Sequence, residues 1–104
     1  MRIVFDQGTP VPLRSLFADH DVSTAFELGW SKLSNGELLT VAESQFDVLI
    51  TTDRQLRHQQ NLSGRRLAIL VLWTTSWRRI QAHSDEIVRA VASMAPGEYR
   101  ELAW

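Results

Sequence analysis

The chain has 104 residues, 44% of them apolar and 22% charged, with a formal net charge of −1. These proportions predict a single folded domain over residues 1–104 and exclude a disordered chain, and no apolar run approaches the roughly 20 residues that a membrane-spanning helix needs. There is no cysteine, and His20, His58 and His83 lack ligand spacing, which excludes disulfides, thiolate zinc sites and cysteine nucleophiles, so any metal must be held by oxygen.

The amino terminus opens directly on a strand pattern, Arg2-Ile3-Val4-Phe5-Asp6, with no basic region followed by an apolar stretch. A secretory signal is therefore not expected, and the expected compartment is the cytoplasm, with no membrane partner. Gln7 to Pro10 break the strand. Thr9 as cap and Pro10 or Pro12 in the first turn predict a helix ending near Asp19-His20. Asp21 to Thr24 read as a brief strand, and Ala25 to Gly29 as one helical turn stopped by glycine. A stronger helix runs from Ser34 to about Gln45, with Leu38, Leu39, Ala42 and Phe46 as its apolar stripe. Phe46 to Thr52 form the central strand, Arg54 to Gln60 a short helix, and Leu67 to Trp73 a buried strand. One long helix is predicted from Thr75 or Ser76 to Met94, ended by Pro96-Gly97, and Glu98 to Trp104 read as an edge strand. Strands alternating with helices predict a three-layer α/β/α fold around a mostly parallel sheet.

Two acids stand where apolar strands stop, Asp6 and Asp53. In an open α/β sheet the carboxyl ends of the strands line the ligand crevice, so two carboxylates meeting there suit a hard cation. Glu37, at the start of the middle helix, is a third acid for the same edge. Mg²⁺ or Mn²⁺ fit such a set, because they take a few carboxylates together with water and phosphate oxygens. Asp6, Glu37 and Asp53 are thus the candidate catalytic and metal-binding acids. Each has a structural alternative: Asp6 and Asp53 suit helix capping, and Ser34-x-x-Glu37 is a capping box. The basic residues are almost all arginine. Arg54, Arg57, Arg65 and Arg66 crowd the segment after Asp53 and are the candidate contacts to a nucleic-acid backbone. Of the four tryptophans, Trp73 reads as core, whereas Trp30 lies in a polar loop suited to substrate contact.

The segments RIVFDQGTPVPLR, ELGWSKLSNGELL, DVLITTDRQL and QQNLSGRR resemble the PIN-like domains. More narrowly, they are similar to small bacterial PIN-like proteins of a domain family of unknown function related to the carboxy-terminal domain of the Mut7 exonuclease. The resemblance covers nearly the whole chain. It implies a Mg²⁺- or Mn²⁺-dependent ribonuclease acting on RNA, many PIN domains being toxins paired with an antitoxin protein, and often homodimeric. It carries Asp6 onto the first metal-binding acid and Asp53 onto the acid after the central strand. Where relatives show a Ser-Asp-Glu-Glu type of sequence, this chain has Ser34-Asn35-Gly36-Glu37, so the Asn35 amide oxygen or Glu37 would complete the metal shell. Gln7 stands where relatives often have Glu. With this reduced charge, the alternative is a catalytically degenerate module that binds a protein partner or nucleic acid. A receiver or haloacid-type phosphatase is disfavoured, because Lys32 lies in a loop and Gly8 stands where a second Asp is needed.

Overall fold

Residues of a strand point alternately to the two faces of a sheet, so a strand apolar at every position must be covered on both sides. Three strands in the computed structural model, which describes residues 1–104, have this character apart from the polar ends Arg2 and Thr51. They are β1 (Arg2–Phe5), β3 (Val48–Thr51) and β4 (Ala68–Leu72), flanked by β2 (Asp21–Thr24) and β5 (Tyr99–Leu102). All five are parallel, in the order β2-β1-β3-β4-β5. Ile3, Phe5, Val48, Ile50, Leu70 and Leu72 face a layer built by a 3-10 helix (Val11–Phe17) and helices α3 (Trp77–Ala82) and α4 (Ser84–Ser93). Val4, Leu49, Ile69 and Val71 face the opposite layer, made by α1 (Asn35–Glu43) and α2 (Leu56–Gln59). The result is a three-layer α/β/α sandwich, and each fully enclosed Leu or Ile of its sheet contributes about 1.5–3 kcal/mol of burial. No helix is long and apolar enough to cross a membrane.

The path over these layers has an irregularity. The connections β1 to β2, β2 to β3 and β3 to β4 share one hand, the first passing over one face in one direction and the next two over the other face in the opposite direction. The β4 to β5 connection keeps the direction of β3 to β4 but uses the other face, through α3 and α4. Its hand is therefore opposite to the other three, so the four crossovers do not all follow the right-handed preference of parallel connections.

Several expected elements are altered. Pro10 and Pro12 remove backbone donors, and the segment they open closes as a 3-10 helix, with Leu13 N–H bonding the Pro10 carbonyl at 3.1 Å. Ala25 to Gly29 form successive turns ending at Gly29, φ 75°. The long helix expected up to Met94 is two helices broken at His83, whose φ of −112° and ψ of 24° leave the helical range. At the break the Ser84 hydroxyl donates to the Gln81 carbonyl at 2.6 Å, and Asp85 and Glu86 supply acids to the first turn of α4. Trp73, expected in the core, is 40% exposed, because β4 ends at Leu72 and the next residue has left the covered part of the sheet.

Candidate metal and nucleic-acid site

The sheet order changes direction between β1 and β3, since β1 leads outward to β2 while β3 leads the other way to β4. A crevice opens outside the carboxyl ends of strands at such a point. Asp6 follows Phe5, whose register partner on β3 is Ile50, so Asp6 stands beside Thr51, and Asp53 follows two residues later. The Thr51 hydroxyl joins the two acids: it donates to Asp6 Oδ2 and accepts the Asp53 N–H at 3.0 Å. Gly8 lets the turn after Asp6 lie against this strand end, because a Cβ there would fall 2.6 Å from Thr52 Oγ1.

Asp6 is only partly accessible. Thr9 Oγ1 lies 2.6 Å from Asp6 Oδ1 and 3.0 Å from the Ile50 carbonyl oxygen. The Thr9 hydroxyl proton is directed to the Asp6 carboxylate, with the Ile50 carbonyl as the longer, second acceptor. Burial pushes the Asp6 carboxyl up, the Thr51 and Thr9 hydroxyls oppose this, and the Asp53 charge adds to the rise. An acid that holds its proton more tightly when folded stabilises the fold below its ordinary value of 3.8 and loses that contribution as pH rises through the raised value. Without divalent ions, the melting temperature of Asp6→Asn should therefore rise relative to wild type between pH 4 and pH 8. A difference independent of pH would mean that the carboxyl ionises equally in both states.

Asp53 is held differently. Its Oδ1 accepts the Gln55 N–H at 2.9 Å, closing a turn at the entry to α2, and its Oδ2 accepts the Asn35 amide Nδ2 at 2.9 Å. Asn35, at the start of α1, therefore reaches the site through its nitrogen, leaving its oxygen directed elsewhere. Glu37 does not join the two aspartates. Its carboxylate accepts the Ser34 N–H at 3.0 Å while Ser34 Oγ accepts the Glu37 N–H at 3.3 Å, a complete capping box, and the Ser34 bonds hold its carboxyl below the usual range. The expected convergence of three acids is thus corrected to a pair, and no group of three His, Asp or Glu side chains is placed to hold an ion. Two carboxylates still suit Mg²⁺, which commonly binds through one or two of them and keeps most of its water.

The arginines divide between the two ends of the sheet. Arg54 lies over the Trp73 ring at 4.8 Å, and Arg57 Nε is 3.7 Å from Glu101 Oε2, both at the carboxyl edge. Arg65 and Arg66 precede β4 and lie at the amino edge, where Arg65 approaches Glu43 at 3.6 Å and the Arg66 N–H donates to Glu43 Oε1 at 2.6 Å. The expected cluster of four is corrected because α2 and the loop after it carry the chain back across the sheet. Trp30 packs edge-on against Phe46 at 6.0 Å rather than lying open. Trp104 folds back on α4, stacked on His83 at 4.2 Å with its indole N–H donating to Glu86.

Three features escaped the sequence reading. Thr9 and Thr51 carry the hydrogen bonds of the acid pair, but threonine near a strand end reads as ordinary β propensity. Glu101, on β5, accepts the Tyr99 hydroxyl at 2.6 Å and the Trp73 indole N–H at 3.2 Å, and the Tyr99 bond holds its carboxyl below the usual range. Glu27 is gripped by both Arg14 terminal nitrogens and exchanges bonds with Thr24, and Arg14 holds its carboxyl down. The Thr24-x-x-Glu27 spacing was the available signal for this last feature. Comparisons with models of protein families, with curated proteins and with solved structures found no match.

Proposed function

We propose that the protein is a PIN-like, Mg²⁺- or Mn²⁺-dependent ribonuclease of the kind that serves as a toxin. The observation that carries this reading is the pair Asp6 and Asp53 at the carboxyl ends of adjacent parallel strands, joined by Thr51 at the point where the sheet order turns. Asp6 and Asp53 would hold the ion, with Asn35 orienting Asp53 from outside the pair. When bound, the ion supplies Lewis-acid charge for the phosphate and a more acidic water. The chain's own residues do the remaining work. Thr9 and Thr51 fix both oxygens of Asp6, Gln55 and Asn35 fix both oxygens of Asp53, and Arg54 and Arg57 add positive charge on the same edge.

The experiment compares wild type with Asp53→Asn on unstructured RNA in Mn²⁺. Wild type should cleave and the variant should fall to background; cleavage absent from both, or equal in both, rejects the reading. Binding of the ion is tested separately by melting. With a dissociation constant of roughly 1 mM and about 10 mM Mn²⁺, mass action stabilises the fold by about 1.4 kcal/mol, and Asp53→Asn should remove that gain. Equal melting temperatures of wild type in EDTA and in Mn²⁺ would show that the pair binds no ion under these conditions. The second reading, a non-catalytic binding module, is favoured by the proton-retaining surroundings of Asp6 and by the absence of a third acid.

A further inference from the structure

An aromatic ring left in water keeps a face free to stack on a partner. Two such rings stand at the carboxyl edge, on opposite sides of the acid pair. Phe26 is 77% exposed, two residues beyond the end of β2. Trp73 is 40% exposed, one residue beyond the end of β4. Along the sheet order the sequence is Phe26, Asp6, Asp53, Trp73, each at the end of the next strand. Strands lie about 4.8 Å apart, so the strand ends that carry the two rings are roughly 14 Å apart, with those carrying the carboxylates between them.

Both rings are presented by bonded frameworks. The turn bearing Phe26 is closed by the reciprocal Thr24–Glu27 bonds at 2.9 and 3.1 Å and by Gly29 N–H to the Phe26 carbonyl at 3.1 Å. Trp30 N–H to the Ala25 carbonyl at 2.8 Å ties its far end, and the Arg14 fork on Glu27 anchors it to the 3-10 helix. Trp73 is oriented through its indole N–H on Glu101, itself fixed by Tyr99 and approached by Arg57, and the Arg54 guanidinium lies over the ring. These bonds fix the turn that carries Phe26 and the indole of Trp73, and neither ring is buried.

We propose that Phe26 and Trp73 are stacking subsites for unpaired bases of a single-stranded nucleic acid laid across the carboxyl edge of the sheet, its backbone passing over Asp6 and Asp53. The inference rests on the nuclease reading for the placement of the scissile phosphate, but the stacking itself does not depend on cleavage. Every base offers a π face, so such subsites are tolerant of sequence, and they reject a duplex because its base faces are already stacked. Arg54 places positive charge beside the Trp73 subsite, where a phosphate would pass, while Arg57 faces Glu101. The Phe26 side has no free arginine, since Arg14 is committed to Glu27 and the Val22 carbonyl. The two subsites therefore differ: Trp73 holds base and phosphate together, whereas Phe26 holds a base alone.

The test is binding by fluorescence anisotropy, with Ca²⁺ in place of Mg²⁺, of a short unstructured labelled RNA and of an abasic oligomer of equal length. Phe26→Ala and Trp73→Ala should each weaken RNA binding about tenfold and leave binding of the abasic oligomer unchanged. Phe26→Tyr should retain RNA binding, and circular dichroism of the three variants confirms that each folds. Alanine variants that bind RNA as wild type does, equal wild-type affinity for RNA and the abasic oligomer, or no RNA binding at all would overturn the proposal. Cleavage that depends on Asp53 without base-dependent binding leaves the nuclease reading and removes the stacking subsites. Base-dependent binding without such cleavage does the reverse.

Discussion

Thr51→Val should destabilise the fold by about 2 kcal/mol and lower its melting temperature by roughly 10 °C. Thr51 is 1% exposed, and valine keeps its shape, so no cavity opens. What is lost is one hydroxyl that serves two neighbours, leaving Asp6 Oδ2 without its donor and the Asp53 N–H without its acceptor. Groups stripped of a partner inside a protein cost more than the bond itself was worth. The same change removes the strongest influence opposing the rise of the Asp6 carboxyl, so Asp6 should hold its proton to still higher pH. Ion binding should weaken accordingly, because an ion and a proton compete for the same oxygens. Thr51→Ser retains the hydroxyl and should recover most of both losses. A valine variant that melts within a degree or two of wild type would show that water replaces the hydroxyl and that Thr51 does not couple the acids.

The second large effect is expected far from the acids, at Gly97. Its φ is 78°, in the left-handed region, and a Cβ there would lie 2.5 Å from the Arg65 carbonyl oxygen. Pro96-Gly97 form the centre of a turn closed by Glu98 N–H on the Ala95 carbonyl at 3.0 Å, and the Gly97 N–H donates to Arg66 at 2.8 Å. This turn delivers β5 to the sheet. Gly97→Ala must both accept an unfavourable φ and displace backbone, for a cost of about 3 kcal/mol. Gly29 and Gly64 provide the comparison, with φ of 75° and 76° but open space around the missing Cβ. Their alanine variants should lose only about 1 kcal/mol each, from conformation alone. Chemical denaturation of the three variants separates the two contributions; equal losses at all three positions would remove the clash from the account.

The layered fold could be read from the chain because Ile3 to Phe5, Val48 to Ile50 and Ala68 to Leu72 are short continuous apolar runs between turn-forming residues, the pattern of a strand covered on both faces. The same reasoning placed Asp6 and Asp53 at strand ends. It could not place residues whose position depends on the return path of the chain. Arg57 and Arg65 are eight positions apart in the sequence, yet the crossover between β3 and β4 sends them to opposite edges. Glu37 was legible in both of its roles, and the capping box prevailed because its partner Ser34 is local while the aspartates are not. Trp73 was misassigned for a related reason: hydrophobicity continues one residue past the point where the helices cease to cover the sheet.

The margins of the sheet bear on behaviour at high concentration. Its outer strands are the polar ones, β2 as Asp-Val-Ser-Thr and β5 as Tyr-Arg-Glu-Leu, each four residues long. Arg2 and Asp21 form an ion pair at the β2 margin, and along β5 Arg100 bonds Glu98 while Glu101 faces Tyr99. A neighbouring molecule that tried to extend the sheet would meet a short ladder bearing charges already satisfied at home, a poor template for fibre growth. The three apolar strands, which would aggregate if they were exposed, are confined to the interior of the sheet between these two borders.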